Sequence, residues 1–278
     1  ELEIISRCFW GGDVNSNQGQ LFWTPFDFKV IPIELLSEIY EMFLKETDEE
    51  KSENGEYYTP HSLVELMLNE YLPWADDNNT QYDLKILDIA CGSGIFLVES
   101  YRRLVDRWIY VNKKQPSFDD LENILLNTIF GFEINSEAIK VAAFSLYLAL
   151  ISYLDPKTLW LEKERLFPYL IYNNKVKEQN QQGHNLHLQS SLTNTILKQP
   201  DFDLVIGNPP FKSSKTGKLK PEIEEYCLKY GFAQEMVMPF IHRASEFCKE
   251  NGKVAIVSTS KILFNKSSLI QSAYNKDK

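Results

Sequence analysis

The chain has 278 residues, of which 44% are hydrophobic and 24% charged, which excludes a disordered, fibrous or low-complexity protein and suits one large core with an appended module. Its net charge of −10 does not by itself suggest a nucleic-acid partner, so any such contact would rest on a local basic patch. The cysteines Cys8, Cys91, Cys227 and Cys248 form no C-x-x-C pair, which argues against both a zinc site and a disulfide framework.

The chain opens with Glu1 and with no charged segment followed by an apolar stretch, as expected of a piece of a longer, cytoplasmic protein. In "IPIELLSEIYEMFLK" the spacing of Leu35, Ile39, Met42 and Phe43 predicts a helix, and the polar "ETDEEKSENGE" after it reads as a linker. Residues 1–54 are therefore expected to form a small, mainly helical module, with the main domain over 55–278. That domain starts with a helix through "HSLVELMLNEYL", opened near Thr59 or Pro60 because proline is tolerated in a first turn.

Strands and helices then alternate. "LKILDIAC" (84–91) reads as a strand, and "GIFLVESYRRLVDRWIYV" (94–111) as a helix with Leu97, Tyr101, Leu104 and Trp108 on one stripe. "TIFGFEIN" (128–135) is the next strand, followed by a long helix from Ser136 to Leu154 capped by Asn135 or Ser136. Its apolar run, Val141–Leu154, is too short for the roughly 20 residues a membrane span requires. "NLHLQSS" (185–191) is a weaker strand and "FDLVIGN" (202–208) a clear one; a helix over 233–250 and a strand "KVAIVSTS" (253–260) complete the set. Apolar strands alternating with helices predict an α/β fold with a largely parallel sheet covered on both faces.

In such a sheet ligands gather at the carboxyl ends of the strands, which selects three places. The first is "LDIACGSG", where Asp88 ends a strand and Gly92 and Gly94 permit positive φ and close backbone approach; without a third glycine it is not a dinucleotide fingerprint, and a structural turn reads equally well. The second is Glu133, which could accept both hydroxyls of a ribose or merely cap the following helix. The third is "NPPF". Pro209 and Pro210 remove two backbone donors and fix φ, and Pro209 holds Asn208 extended. The result is a rigid acceptor-rich rim ending in the Phe211 ring, suited to a planar amine, although a strand-ending turn with Phe211 in the core would look the same. Directly after it, "KSSKTGKLK" puts Lys212, Lys215, Lys218 and Lys220 in nine residues without an acid, either a solvated loop or a patch for phosphates.

The order "GEYYTP", "LDIACGSG", "GFEIN", "QSSL", "NPPF" resembles the gamma class of adenine-N6 DNA methyltransferases, in particular the modification part of type I and of combined type II restriction systems. The resemblance runs from about Phe22 to Phe264. It implies a Rossmann-like class I sheet with helices on both faces, S-adenosylmethionine as cofactor, and double-stranded DNA as partner, with a nuclease or specificity domain or subunit attached. It also implies roles for single residues. Tyr57, Tyr58 and Thr59 would hold the methionine end of the cofactor; Asp88 and the Cys91, Gly92, Gly94 turn would form the first cofactor loop. Glu133 would take the ribose hydroxyls and Ile134 the adenine ring, while Asn208, Pro209, Pro210 and Phe211 would form the catalytic tetrapeptide; the lysines after it would meet DNA. One position departs: where the family generally carries Asp or Asn for the cofactor's adenine amine, this chain has Ser190, so weaker cofactor binding or substitution by Gln189 is expected. The family normally continues into a target-recognition domain, so the chain is expected to lack that part.

No general base is required, and His61, His184, His187 and His242 read as structural. Cys91 is not preceded by proline and has no evident base, which disfavours a cysteine-nucleophile route. Two rivals stay open: a glutamine-N5 methyltransferase of release factors, whose substrate amide poses the same NH2 problem, and a module that binds cofactor and DNA without turnover.

Overall fold

The computed structural model describes residues 59–155, 166–173, 182–193, 201–211, 221–232 and 237–258, all within the unit Ile33–Lys278. In chain order the elements are α1 (His61–Tyr71), β1 (Ile86–Asp88), α2 (Ile95–Asn112), α3 (Phe118–Thr128), β2 (Ile129–Glu133), α4 (Ser136–Ile151), β3 (Ile171–Tyr172), β4 (Leu186–Leu188), β5 (Phe202–Gly207), α5 (Pro221–Tyr230), α6 (Val237–Phe247) and β6 (Cys248–Ile256). The strands pair in the order β3-β4-β2-β1-β5-β6, every neighbour parallel.

Side chains alternate across a strand, so consecutive apolar residues serve two cores. Ile86, Leu204 and Ile206 point to one side, where they pack with α1, α2, α3 and α4 through Leu68, Leu97, Leu104, Leu125 and Leu146. Leu87 and Val205 point to the other, against Ile223 and Cys227 of α5 and Phe240, Ala244 and Phe247 of α6. The α/β fold with helices on both faces is the expected one. The apolar run of α4 turns Ala142, Leu146, Ala149 and Leu150 into the core, and no described helix is long and apolar enough to cross a membrane.

Local signals fix most boundaries. Gly94, at φ 90°, opens α2, and Asn135 caps α4 by accepting from the N–H groups of Glu137 (2.8 Å) and Ala138 (3.1 Å). Several expected spans are corrected. The strands expected over 84–91, 128–135 and 185–191 contract to three, five and three residues: their C-terminal flanks leave the ladder for the site loops, and Thr128 belongs to the end of α3. The helix expected to reach Leu154 ends at Ile151. The helix expected to reach Glu250 ends at Phe247, and β6 begins at Cys248 rather than Lys253, because residues 248–250 run back along Phe202 with a register shift before Leu204. The first helix starts at His61 with Pro60 at its cap.

Three elements have no counterpart in the sequence reading: α3, β3 and α5. The start of α3 is a capping box in which Ser117 Oγ accepts from Asp120 N (3.2 Å) and Ser117 N donates to Asp120 Oδ2 (2.9 Å).

Buried cations tie α1 to α2. Arg103, with no exposed side-chain surface, donates to the Leu72 carbonyl (3.1 Å), Glu99 Oε1 (3.3 Å) and Glu65 Oε1 (3.5 Å) and lies 5.0 Å from the Trp74 ring. Arg107 donates to the Pro73 carbonyl from Nη2 (2.7 Å) and Nε (3.1 Å), and to the Gln81 carbonyl from Nη1 (3.0 Å). These bonds hold α1 against α2, with Thr59 immediately before the N-terminus of α1.

Candidate active site

From β1 the chain first builds outward through β2 and β4, then returns to add β5 and β6 on the opposite side, so the topological switch lies between β1 and β5. The crevice at the carboxyl ends of those two strands is where an open α/β sheet binds ligands. Asp88 pairs with Ile206 there, which puts Asn208 two residues beyond the last rung of the ladder.

Asp88 is 1% exposed and accepts from Ala90 N–H at 3.0 Å. Burial, and after it the nearby Glu133 carboxylate, push its pKa up to about 7, against the opposing pull of the Ala90 bond. A side chain at Gly207 would not fit: a Cβ there would lie 2.9 Å from Asp88 Oδ1 and 3.2 Å from Ile89 Cγ1. This glycine, which the sequence reading did not single out, lets the Asp88 carboxylate lie against the end of β5.

The loop after β1 turns at Gly92 (φ 54°) and Gly94 (φ 90°). At Gly94 a Cβ would meet Ala142 Cβ at 2.8 Å, so the turn needs glycine for both conformation and space. The N-cap Gly94 has no side chain to cap α2, so the helix N-terminus at the end of the β1 loop keeps N–H groups for an anionic group. Cys91 is buried between the strand ends, and burial with the neighbouring Asp88 and Glu133 charges raises its thiol well above the ordinary range, the opposite of an activated nucleophile.

Glu133, at the end of β2, accepts from Gly92 N–H at Oε2 (2.9 Å) and from Ile134 and Asn135 N–H at Oε1 (2.8 and 2.7 Å). Its carboxylate thus ties the β1 loop to the end of β2, a structural duty invisible in the sequence. Ile134, next to it, is 49% exposed, an uncovered apolar surface at a strand end. Glu133 pairs with Leu188 of β4, so Gln189 and Ser190 follow at the adjacent strand end. Ser190 Oγ accepts from Leu192 N–H (3.3 Å), while Gln189 Nε2 is buried with no acceptor among the described residues.

At the end of β5, Pro209 is buried and Pro210 and Phe211 half-buried, all in trans peptides. Phe211 packs against Val237 and Met238 at the start of α6. Asn208 Nδ2 donates to Thr59 Oγ1 at 3.0 Å across 149 residues of sequence. Its Oδ1 is buried without a donor among the described residues. A buried acceptor left unpaired costs about 1–3 kcal/mol, so this atom stands ready to accept from an N–H or O–H donor.

The structure therefore gathers Thr59, Asp88, Cys91, Gly92, Gly94, Glu133, Ile134, Ser190, Asn208, Pro209, Pro210 and Phe211 at neighbouring strand ends and their loops. Tyr57, Tyr58, Lys212, Lys215, Lys218 and Lys220 lie outside the described residues. Two of the histidines take structural places: His187 is 3% exposed in β4 with burial lowering its pKa to about 4, and His242 Nδ1 meets the Tyr226 hydroxyl at 2.9 Å.

The chain is similar to several known proteins. A family model described as Eco57I restriction-modification methylase matches residues 127–276, and one described as N-6 DNA methylase matches 32–162. Type II restriction enzyme and methyltransferase RM.Eco57I of Escherichia coli is 24% identical, over 94% of this chain and 30% of its own length. Type II methyltransferase M.BstVI of Geobacillus stearothermophilus is 26% identical, over 77% of this chain and 35% of its own. The chain thus spans about a third of the length of these curated relatives. Among solved structures, the type I restriction-modification methyltransferase subunit from Streptococcus thermophilus shares the fold, with a TM-score of 0.53 and 18% identity over 92% of this chain and 45% of that one. With one family model covering more than half of its residues, the chain belongs to the Eco57I restriction-modification methylase family.

Proposed function

We propose that this chain carries the catalytic part of a DNA methyltransferase that moves a methyl group from S-adenosylmethionine to the N6 amine of an adenine in double-stranded DNA. The observation that carries the reading is Asn208 Oδ1, a buried and unpaired acceptor at the switch point of a parallel sheet, followed by the two prolines and the Phe211 ring.

The residues fit the cofactor. A sulfonium with an amino acid tail matches the buried Asp88 carboxylate and the side-chain-free α2 N-terminus; a ribose matches Glu133, and a purine the exposed face of Ile134. Thr59 and the Cys91–Gly94 turn line the same end of the sheet, and Tyr57, Tyr58 and Ser190 complete the proposed set. When bound, the cofactor supplies an electrophilic methyl group on sulfur.

The protein's part is positioning and charge stabilisation. An adenine turned out of the duplex costs a few kcal/mol of stacking and pairing, which Phe211 offsets by stacking on the base. Asn208 Oδ1 and the Pro209 carbonyl accept the two amine hydrogens, which draws the nitrogen lone pair out of the ring. As positive charge develops on that nitrogen, the two fixed acceptors stabilise it more than they stabilise the neutral amine. The surplus proton leaves to water, so no base is needed. Lys212, Lys215, Lys218 and Lys220 would hold phosphates beside the target base, positioning without reading sequence.

The test is transfer of labelled methyl from S-adenosylmethionine to duplex DNA by the full-length protein, followed by digestion to nucleosides. Label in N6-methyl-2′-deoxyadenosine, lowered at least a hundredfold by Asn208→Ala, is the expected result; label in another base or in protein glutamine, or undiminished transfer by the variant, removes the assignment.

A further inference from the structure

We propose that Thr59 is a positioning residue for Asn208, its hydroxyl selecting which end of the Asn208 amide faces the substrate. This inference rests on the reading above and goes beyond it, since Thr59 is otherwise assigned only to the cofactor.

A side-chain amide is nearly symmetric in shape but opposite in chemistry at its two ends: the oxygen accepts and the NH2 donates. At the end of β5 a half-turn of the amide would exchange them, setting donor against donor where an amine must bind. Backbone restraint does not choose between the two. Gly207, whose carbonyl accepts from Val257 N–H at 3.0 Å, and Pro209 fix the main chain on both sides, but the amide can still rotate about its last bond.

Thr59, once its own hydrogen is engaged by a ligand, makes the choice. It is 8% exposed, and its Oγ1 accepts from Asn208 Nδ2 at 3.0 Å, which leaves Oδ1 on the unpaired side. Pro60 follows and biases Thr59 to extended geometry, and α1 is anchored through Glu65 and Leu72 to the buried Arg103. Thr59 therefore stands two residues before a helix braced on the main core. One hydroxyl has one hydrogen and two lone pairs, so accepting from Asn208 leaves its hydrogen available for a negatively charged ligand group. Any ligand that takes that hydrogen removes the alternative in which Thr59 donates to Oδ1, so filling the neighbouring site reinforces the catalytic orientation of Asn208.

The experiment compares Thr59→Ser, Thr59→Val and Thr59→Ala in the full-length protein. It reads kcat and KM for duplex DNA at saturating S-adenosylmethionine, together with cofactor affinity by calorimetry without DNA. The expected pattern is kcat within threefold of wild type for serine and lowered tenfold or more for valine and alanine, with KM for DNA unchanged. The inference is overturned if valine or alanine regains full kcat once cofactor is saturating, since Thr59 would then only hold cofactor, or if serine is as slow as valine. A wild-type protein that methylates no adenine defeats the underlying reading instead, and that outcome is visible before any variant is made.

Discussion

Replacing Asp88 by asparagine tests the electrostatics of the crevice through stability alone. Burial raises the Asp88 carboxyl from 3.8 to about 7. The native protein therefore retains a proton between pH ~4 and ~7 that the unfolded chain has lost, and stability must fall as pH rises through that window. Above about 7 both states are ionised and the whole penalty is present. A difference of about three pH units corresponds to ~4 kcal/mol at 1.36 kcal/mol each. Asp88→Asn keeps the shape and the Ala90 bond but removes the charge, so at pH 8 it should be the more stable protein by an amount of that order. The gap should shrink steadily towards pH 4.5. Urea unfolding of both proteins at half-unit intervals measures it, and subtracting the two curves cancels the other titrating groups. Equal stabilities at every pH, or a variant less stable at pH 8, would refute the argument. The same charge carries a ligand signature: a cation bound beside Asp88 makes it ionise, so calorimetry near pH 6 in buffers of different ionisation enthalpy should show up to one proton released on binding S-adenosylmethionine, and none in the variant.

Arg103→Ala should cost about 3–5 kcal/mol in urea unfolding, because it leaves the buried Glu99 carboxylate and the Leu72 carbonyl without their donor; adding Glu99→Gln should recover part of the loss. Gly94→Ala should destabilise more than Gly92→Ala by about 1–3 kcal/mol. Both have positive φ, but only at Gly94 would the new Cβ strike Ala142, at 2.8 Å; equal thermal shifts would argue against the close packing. Ser190→Asp should tighten S-adenosylmethionine binding about tenfold in calorimetry, as a charged acceptor replaces a neutral one that already serves Leu192 N–H.

What could be read in the sequence was whatever a short stretch determines by itself. β1, β2, β5 and α4 are predominantly apolar runs, β1 ended by Asp88 and β5 by Gly207, and Asn135 announced the start of α4. "NPPF" carried its chemistry openly, since two prolines and an aromatic ring constrain a strand end without help from elsewhere. α3 was missed although Ser117 and Asp120 spell a capping box and Phe118, Leu121 and Leu125 keep a helical period, because it is short and runs straight into β2 without a turn signal. β3 has two residues, too few for any pattern, and α5 stands directly behind the lysine run that drew the reading. The duties hidden from sequence are the long-range ones. Glu133 holding Gly92, Gly207 yielding room to Asp88, and Thr59 holding Asn208 each join residues from different strand ends or helices, and only the closed sheet brings them together.

The distribution of unmet polar groups adds an argument that does not depend on resemblance. Elsewhere in this fold the most demanding buried groups are satisfied: Arg103 and Arg107 spend their donors on carbonyls and carboxylates, and Asn185 Nδ2 reaches the carbonyls of Leu125, Leu126 and Ile129 at 3.3, 3.0 and 2.8 Å. Unpaired atoms also occur on Ser100, Ser145, His187, Gln189 and Ser191, single neutral groups within α2, α4, β4 and the turn after β4. At the β1–β5 switch two costs coincide: a carboxylate whose ionisation burial opposes, and an amide oxygen with no donor. Both are acceptors, and both would be relieved by a ligand that brings positive charge and N–H groups. A sheet under selection for stability alone has cheaper residues available at both positions, since asparagine at 88 removes the charge and an apolar side chain at 208 removes the orphan. Among the described residues, a buried carboxylate and a buried unpaired amide oxygen coincide where the topology opens a crevice, which favours a ligand there that brings positive charge and an N–H or O–H donor.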